Sequence, residues 1–169
     1  TAWRRTIRAS NNTIYPWARI SSAGRPGYIA KKVAFFGDSM TEFGDYPARV
    51  GTRLAMKALK FGFGGCRMAN HVGSSASALY DKMSMYNLAR YIAIGDYSEL
   101  LAAADALFAE VGDDNRAQSL ALSQTDWSTV DYIVLYWGAN DFTGAVPIGG
   151  PTDADGTTFR GAINYAAGQ

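Results

Sequence analysis

Two uninterrupted apolar runs, each ending at a glycine, govern the fold of this chain. The first, Val33–Phe36, lies between a pair of lysines and Gly37. The second, Asp131–Trp137, is apolar after its first residue, carries the strongest strand signal in the sequence and ends at Gly138. A short apolar run without polar alternation is typical of a buried strand in a parallel sheet. The first run therefore predicts such a buried strand, and the second predicts a further strand.

The segments between and after these runs predict helices and one more strand. Apolar residues recur at roughly helical spacing over Tyr46–Leu59, and Phe61–Gly65 is typical of a short second strand that runs into a glycine loop. Helical patterns follow within 74–126, and a last one begins at Thr157. Those within 74–126 cover residues 78–94, 97–111 and 115–125. The alternation of strands and helices predicts an α/β fold with a parallel sheet.

The first 32 residues differ from the rest of the chain. They contain no acidic residue, although the whole chain has a net charge of only +1. Their basic residues are Arg4, Arg5, Arg8, Arg19, Arg25, Lys31 and Lys32. Weak alternation broken by proline and glycine predicts short strands and turns outside the main fold. We interpret residues 1–32 as a basic lead-in or linker and 33–169 as the main domain.

This lead-in could contact nucleic acid, an anionic polysaccharide or an acidic neighbouring domain, but a solvated connector also explains it. We expect no nucleic-acid partner. No apolar stretch approaches the roughly 20 residues of a membrane-spanning helix, so we expect a soluble protein without a membrane span. The start lacks both an initiator Met and a signal-peptide core, which suggests a processed or excised terminus.

The single cysteine, Cys66, allows no intrachain disulfide and is best explained as a small buried hydrophobic residue. No metal-ligand cluster, phosphate loop or dinucleotide fingerprint is present in the sequence. Chemistry must therefore be sought in other residues.

Ser39 is the first such residue, because it follows the first strand within a Gly-Asp-Ser turn. This position presents a hydroxyl at the carboxyl edge of a parallel sheet, although a helix-capping serine would explain it too. The other two strands end near Gly65, whose backbone N–H is accessible, and near Asn140, whose side chain offers an amide. An acyl-transfer intermediate needs two or three such donors around its oxyanion.

Three blocks of this sequence resemble those of the SGNH, or GDSL-type, hydrolases. They are residues 36–44, 60–65 and 134–141, which occur in the family's order, and the resemblance extends over about 33–169. It implies a three-layer α/β/α sandwich with a parallel sheet, flavodoxin-like in outline and incomplete at the C-terminus. It further implies that the reaction is hydrolysis of an ester and needs no cofactor.

Carried over by position, the resemblance implies Ser39 as the nucleophile and first oxyanion donor, Gly65 as the second donor and Asn140 as the third. Asp38 and Asp141 would shape the turns around them.

The second and last blocks depart from the family pattern. Lys60 occupies a position where the family usually has asparagine, so Gly62 or Gly64 could be the donor instead of Gly65. The family's Asp-x-x-His block, which supplies the general base, does not occur, and the only histidine is His71. A loop residue explains His71 better than a relocated base, although it could contact substrate. We expect the Asp-His pair in a missing C-terminal segment or a second chain.

These observations predict a serine esterase that acts through Ser39, with an O-acetylated polysaccharide as the first choice of substrate. Trp137 lies within the third block and Phe142 follows it; both could stack on a sugar, although core packing explains them as well. A modular cell-surface or phage-tail enzyme, extracellular or virion-associated, would suit the lead-in. The alternative is a catalytically inactive carbohydrate-binding or virion-adhesion module on the same fold.

Overall fold

The computed structural model describes residues 2–4, 18–20, 28–70 and 75–169. Within them the chain forms a mixed α/β fold with two small sheets. Strands β1 (Ala2–Arg4) and β2 (Ala18–Ile20) pair antiparallel, which confirms short strands in the lead-in. Strands β3, β4 and β5 form a parallel sheet in the order β4-β3-β5. Their bounds are Lys32–Gly37, Lys57–Gly62 and Tyr132–Tyr136.

Eight helices occur in the described ranges. They are α1 (Ser39–Glu42), α2 (Tyr46–Leu54), α3 (Ser75–Asp81), α4 (Met85–Ile94), α5 (Ser98–Val111), α6 (Arg116–Ser123), α7 (Ala139–Thr143) and α8 (Phe159–Ala167). The predicted helical character of 74–126 is confirmed, because α3 to α6 occupy most of it. None of the helices in the described part of the chain has the length and apolar character needed to cross a membrane.

Strand β3 lies at the centre of the parallel sheet and is buried from Val33 to Gly37, as predicted. The ring of Phe36 packs against Phe61 of β4 and stacks on Trp127, with centroids 5.3 and 5.7 Å apart. This face joins a core supplied mainly by the helices between β4 and β5, including Leu88. The continuous apolar sequence of β3 therefore reflects burial on both faces.

Helix α2 is shorter than predicted. It begins at Tyr46 as expected, but the predicted end at Leu59 was wrong, because α2 ends at Leu54 and Ala55 adopts a left-handed conformation with φ of 53°. Lys57 then begins β4, which pairs with β3 in register. Sheet pairing here overrides the helical spacing of the apolar residues, and β4 also starts earlier than the Phe61–Gly65 strand that we expected.

The predicted helix over 78–94 is interrupted. Helix α3 ends at Asp81, and α4 begins at Met85 after Ser84. The Ser84 hydroxyl accepts the Asn87 N–H at 3.3 Å and donates to Asn70 at 2.6 Å. This N-cap starts a new helix, since a buried serine hydroxyl satisfies a backbone donor that a continuous helix would use itself.

Strand β5 is one of the two edge strands of the parallel sheet within the described residues. Its backbone pairs with β3 on one side, while Ile133 is 56% exposed and Tyr136 47% exposed. One edge of β5 is thus covered by β3, whereas most of its apolar side chains are exposed.

Candidate functional site

The three parallel strands end level with one another. Gly37 of β3 pairs in register with Gly62 of β4 and with Tyr136 of β5. Because the strands are parallel, the connections that follow them leave from the same edge of the sheet. Ser39, Gly65 and Asn140 all lie in these connections.

Ser39 is the first residue of α1 and is half-buried. The side chain of Asp38, itself buried, accepts the Met40 N–H at 3.0 Å and so caps this helix. A Cβ at Gly37 would overlap the Thr41 hydroxyl, so only glycine lets the chain turn here. Among the described residues, neither the N–H nor the hydroxyl of Ser39 has a hydrogen-bond partner, and both remain available to a ligand.

The three glycines considered as oxyanion donors serve different purposes. A Cβ at Gly62 would overlap the backbone of Glu42, so Gly62 allows α1 to pack on β4. The N–H of Gly64 donates to the Glu42 carboxylate. Gly65 has φ of +74°, and its N–H has no partner in the part of the chain that the structure describes. Of the three, Gly65 has the donor that is open to a ligand.

The glycine loop, defined as residues 63–67, faces Ser39 on one side. An ideal Cβ at Gly64 would lie 3.9 Å from the Cβ of Ser39, which is ordinary van der Waals contact. An ideal Cβ at Gly65 would lie 2.7 Å from a ring carbon of Tyr80 in α3. The loop is therefore enclosed by α1 and by the helical insert, and its glycines are sterically required.

The third block contacts the same loop. Asn140, the second residue of α7, donates from its side-chain amide to the Cys66 carbonyl at 2.8 Å. This hydrogen bond uses one amide proton and leaves the other for a ligand. Among the described residues no hydrogen bond joins Ser39 to Asn140, and the hydrogen bond of the Asn140 side chain is to the glycine loop.

Asp141 joins α7 to the chain just after the glycine loop. Its two carboxylate oxygens accept the N–H groups of Met68 and Ala69 at 2.9 and 3.0 Å. The side chain is buried, and this burial raises the pKa of Asp141 although both N–H groups oppose the shift. The carboxylate thus satisfies two buried backbone donors and fixes the spacing between the second and third blocks.

Three residues that the sequence did not single out also support the loop. Gln118 of α6 donates to the Gly62 carbonyl at 3.3 Å and to Glu42 at 3.4 Å. Tyr80 covers Gly65 and donates through its hydroxyl to Asp113. Glu42 lies inside the first block and could have been noticed there. Tyr80 and Gln118 carried no sequence signal because they reach the loop only through the packing of the insert.

Cys66 is fully buried, and burial raises the pKa of its thiol well above the ordinary value. The thiolate that nucleophilic chemistry requires is therefore disfavoured.

The remaining candidate residues are placed differently. Trp137 is half-buried against the core, whereas Phe142 is 87% exposed on α7. Met40 of α1 and Phe43, directly after it, are also exposed apolar side chains. His71 lies outside the described residues.

Among the residues that the structure describes, no group of three or more His, Cys, Asp or Glu side chains could hold a metal ion. Comparisons with models of protein families, with curated proteins and with solved structures returned no match.

Proposed function

We propose that this chain carries the nucleophile and the oxyanion donors of an SGNH-type serine esterase, built on a flavodoxin-like three-layer α/β/α sandwich. The observation that carries the proposal is the unpartnered hydroxyl and N–H of Ser39 at the carboxyl edge of a parallel sheet, on the side of the glycine loop that Gly64 faces. The left-handed Gly65 and the Asn140 amide at the same loop support it.

In the proposed reaction the Ser39 oxygen attacks the carbonyl carbon of an ester, and the carbonyl oxygen becomes an oxyanion. The N–H groups of Ser39 and Gly65 and the remaining amide proton of Asn140 donate to it, each contributing about 3 kcal/mol. Collapse of the tetrahedral intermediate releases the alcohol and leaves an acyl group on Ser39. Water then attacks the acyl carbonyl through a second such intermediate; the bond to the Ser39 oxygen breaks, the carboxylic acid leaves and the serine oxygen takes back a proton.

The proton of Ser39 must pass to a general base. The sequence contains no Asp-x-x-His, so the proposal assigns this role to an Asp-His pair supplied by a segment or chain other than residues 1–169. Without a base, oxyanion stabilisation and binding alone leave about 10³- to 10⁴-fold acceleration over water in a serine hydrolase. His71 is the alternative source of the base.

An acetylated polysaccharide is the substrate class that we propose. The exposed aromatic ring of Phe43 lies near the end of the first block, directly after α1, and that of Phe142 follows the third block on α7. Rings of this kind supply rigid apolar contact area to a ligand while adjacent backbone donors provide orientation. A small acetyl group would fit beside glycines, whose lack of side chains leaves room near Ser39.

The test is hydrolysis of p-nitrophenyl acetate near pH 8 by residues 1–169, with imidazole added as an external base. Without imidazole we expect the chain to match its Ser39→Ala variant. With imidazole, the rate should exceed that of Ser39→Ala by an amount that increases with imidazole concentration, because the external base replaces the absent one.

Two outcomes would change the proposal. Ser39-dependent turnover without imidazole that His71→Ala abolishes would assign the base to His71. If imidazole produces no Ser39-dependent rate at any concentration, the esterase assignment is wrong. Binding of acetylated glycan by such a chain would then favour the adhesion module.

A further inference from the structure

Glu42 is a carboxylate next to the proposed site that the reaction above does not use. It lies one helical turn after Ser39 in α1 and is half-buried beneath the glycine loop. The Gly64 N–H donates to this carboxylate, which lies so close that a Cβ on Gly64 would overlap it. The same Cβ would lie 3.9 Å from the Cβ of Ser39, so Gly64 faces both side chains.

The hydrogen bonds around Glu42 indicate that its carboxylate is held for the loop rather than for an ion pair. The nearest cation, Lys60, donates to the backbone carbonyl of Glu42 at 2.7 Å. No ion pair of Glu42 is found among the described residues. The carboxylate instead accepts from Gln118 at 3.4 Å, and Gln118 also donates to the Gly62 carbonyl just before the loop.

Removing a carboxylate from water costs free energy unless hydrogen bonds compensate for it. Here the compensating donors are the Gly64 N–H and the side-chain amide of Gln118, which also donates to the carbonyl at the end of β4. Buried Asn115 accepts from the same Gln118 amide at 2.9 Å and fixes its orientation. These hydrogen bonds connect Glu42 of α1, the end of β4 and the glycine loop. The network therefore holds the three parts in one geometry.

We propose that Glu42 is a positioning residue, which fixes the Gly64 peptide and thereby holds the Gly65 N–H beside Ser39. The proposal rests on the proposed function only in that it takes Gly65 as an oxyanion donor. The hydrogen-bonded clamp itself, formed by Glu42, Gln118 and Gly64, is a property of the loop that can be measured without turnover.

The clamp is expected to be sensitive to pH. Lys60 of β4, Asp113 between α5 and α6, and the Cys66 thiol of the loop are the titratable groups that face Glu42 from the described elements. Burial first and Asp113 second raise the pKa of Glu42, while Gly64, Gln118 and Lys60 oppose this. As pH falls, Glu42 is therefore protonated earlier than an ordinary glutamate, and its charge-assisted bond to Gly64 weakens.

The experiment is amide NMR on residues 1–169, comparing wild type with Glu42→Gln and Glu42→Ala. In wild type the Gly64 amide proton should titrate with a midpoint above that of an ordinary glutamate. Glu42→Gln should abolish this titration and keep the amide protected, since the amide oxygen still accepts. In Glu42→Ala the Gly64 N–H should exchange about tenfold faster. Glu110→Ala, on the exposed end of α5, is the matched control and should change neither signal.

Unchanged exchange at Gly64 in Glu42→Ala would overturn the proposal, as would a titration that persists in Glu42→Gln. If circular dichroism shows that Glu42→Ala does not fold, the titration of Glu42→Gln decides the matter. With imidazole, Glu42→Ala should also lower the Ser39-dependent kcat about tenfold with little change in KM. If the NMR effects occur but no Ser39-dependent rate exists, the clamp stands and the esterase assignment fails.

Discussion

At the scale of single residues, backbone geometry around the glycine loop explains why the second block contains so many glycines. Gly65 combines a positive φ with a close neighbour, the Tyr80 ring. Gly112 has a similar φ of +89° but no atom within 4 Å of the place where a Cβ would stand. Comparing substitutions at the two positions therefore distinguishes the cost of backbone strain from the cost of steric overlap.

Replacing Gly65 with alanine should lower the free energy of unfolding by more than replacing Gly112 does. Both changes put a side chain in the left-handed region, which costs about 1 to 2 kcal/mol. Only Gly65→Ala also displaces Tyr80, which adds on the order of 1 kcal/mol. Urea unfolding of both variants measures the difference, and equal losses would show that the Tyr80 contact adds nothing.

The sequence singled out Ser39, Gly65 and Asn140 as candidates because each follows a strand in a short motif. It could not identify Gln118, since helix α6 is separated from the glycine loop by some 50 residues of insert whose packing no local pattern encodes. Residues that contact a ligand often lie in a short sequence motif. The residues that support them can come from any part of the chain that packs against the site, so no motif marks them.

At the scale of elements, the sheet was easier to predict than the points where elements end. Strand β3 is marked by its apolar residues, but the end of α2 depends on pairing between β4 and β3, which the spacing of apolar residues does not express. Helix α7 is another such case: with only five residues it would be marginal in isolation. Its place is set by Asp141, which binds backbone groups after the glycine loop.

Replacing Asp141 with asparagine should lower the free energy of unfolding by about 1 to 3 kcal/mol, because an amide cannot accept both N–H groups and leaves one buried donor unsatisfied. Asp105→Asn, at an exposed position of α5, is the control and should have little effect. Urea unfolding at pH 7 gives both values. An equal effect of the two changes would mean that the Asp141 hydrogen bonds do not hold α7.

The same variant tests the pKa of Asp141. Because this pKa is raised on folding, the native state binds the proton more tightly than the unfolded chain. The contribution of Asp141 to stability is therefore greatest at low pH and decreases as pH rises through the native pKa. Asp141→Asn lacks this dependence, so its deficit relative to wild type should be smaller at pH 7 than at pH 4.

At the scale of the whole molecule, the open side of β5 is the least protected surface of the sheet in the described ranges. Five consecutive residues of β5 carry neither charge nor proline, the features that usually protect an edge strand. Copies of the chain can therefore associate through this edge.

Replacing Ile133, which is 56% exposed on β5, with lysine should reduce concentration-dependent association and leave the fold intact. Ile94→Lys is the matched control, since Ile94 is 60% exposed but lies at the end of α4. Light scattering across a concentration series should show a change only for the β5 variant. Equal effects of both lysines would indicate general surface hydrophobicity rather than the strand edge.

The pairing of β3 with β5 also determines the order in which the sheet can form. Asp131, just before β5, binds Lys31 at a distance of 100 residues along the chain. At ribosomal speeds β5 emerges about 5 to 20 s after β3. During that interval one edge of β3 has no partner from β5, while the helices between them can fold through local contacts. In a nascent chain of this kind β3, the most apolar strand, is therefore paired on one edge at most until β5 has been synthesised. A chaperone would protect the chain most during this interval.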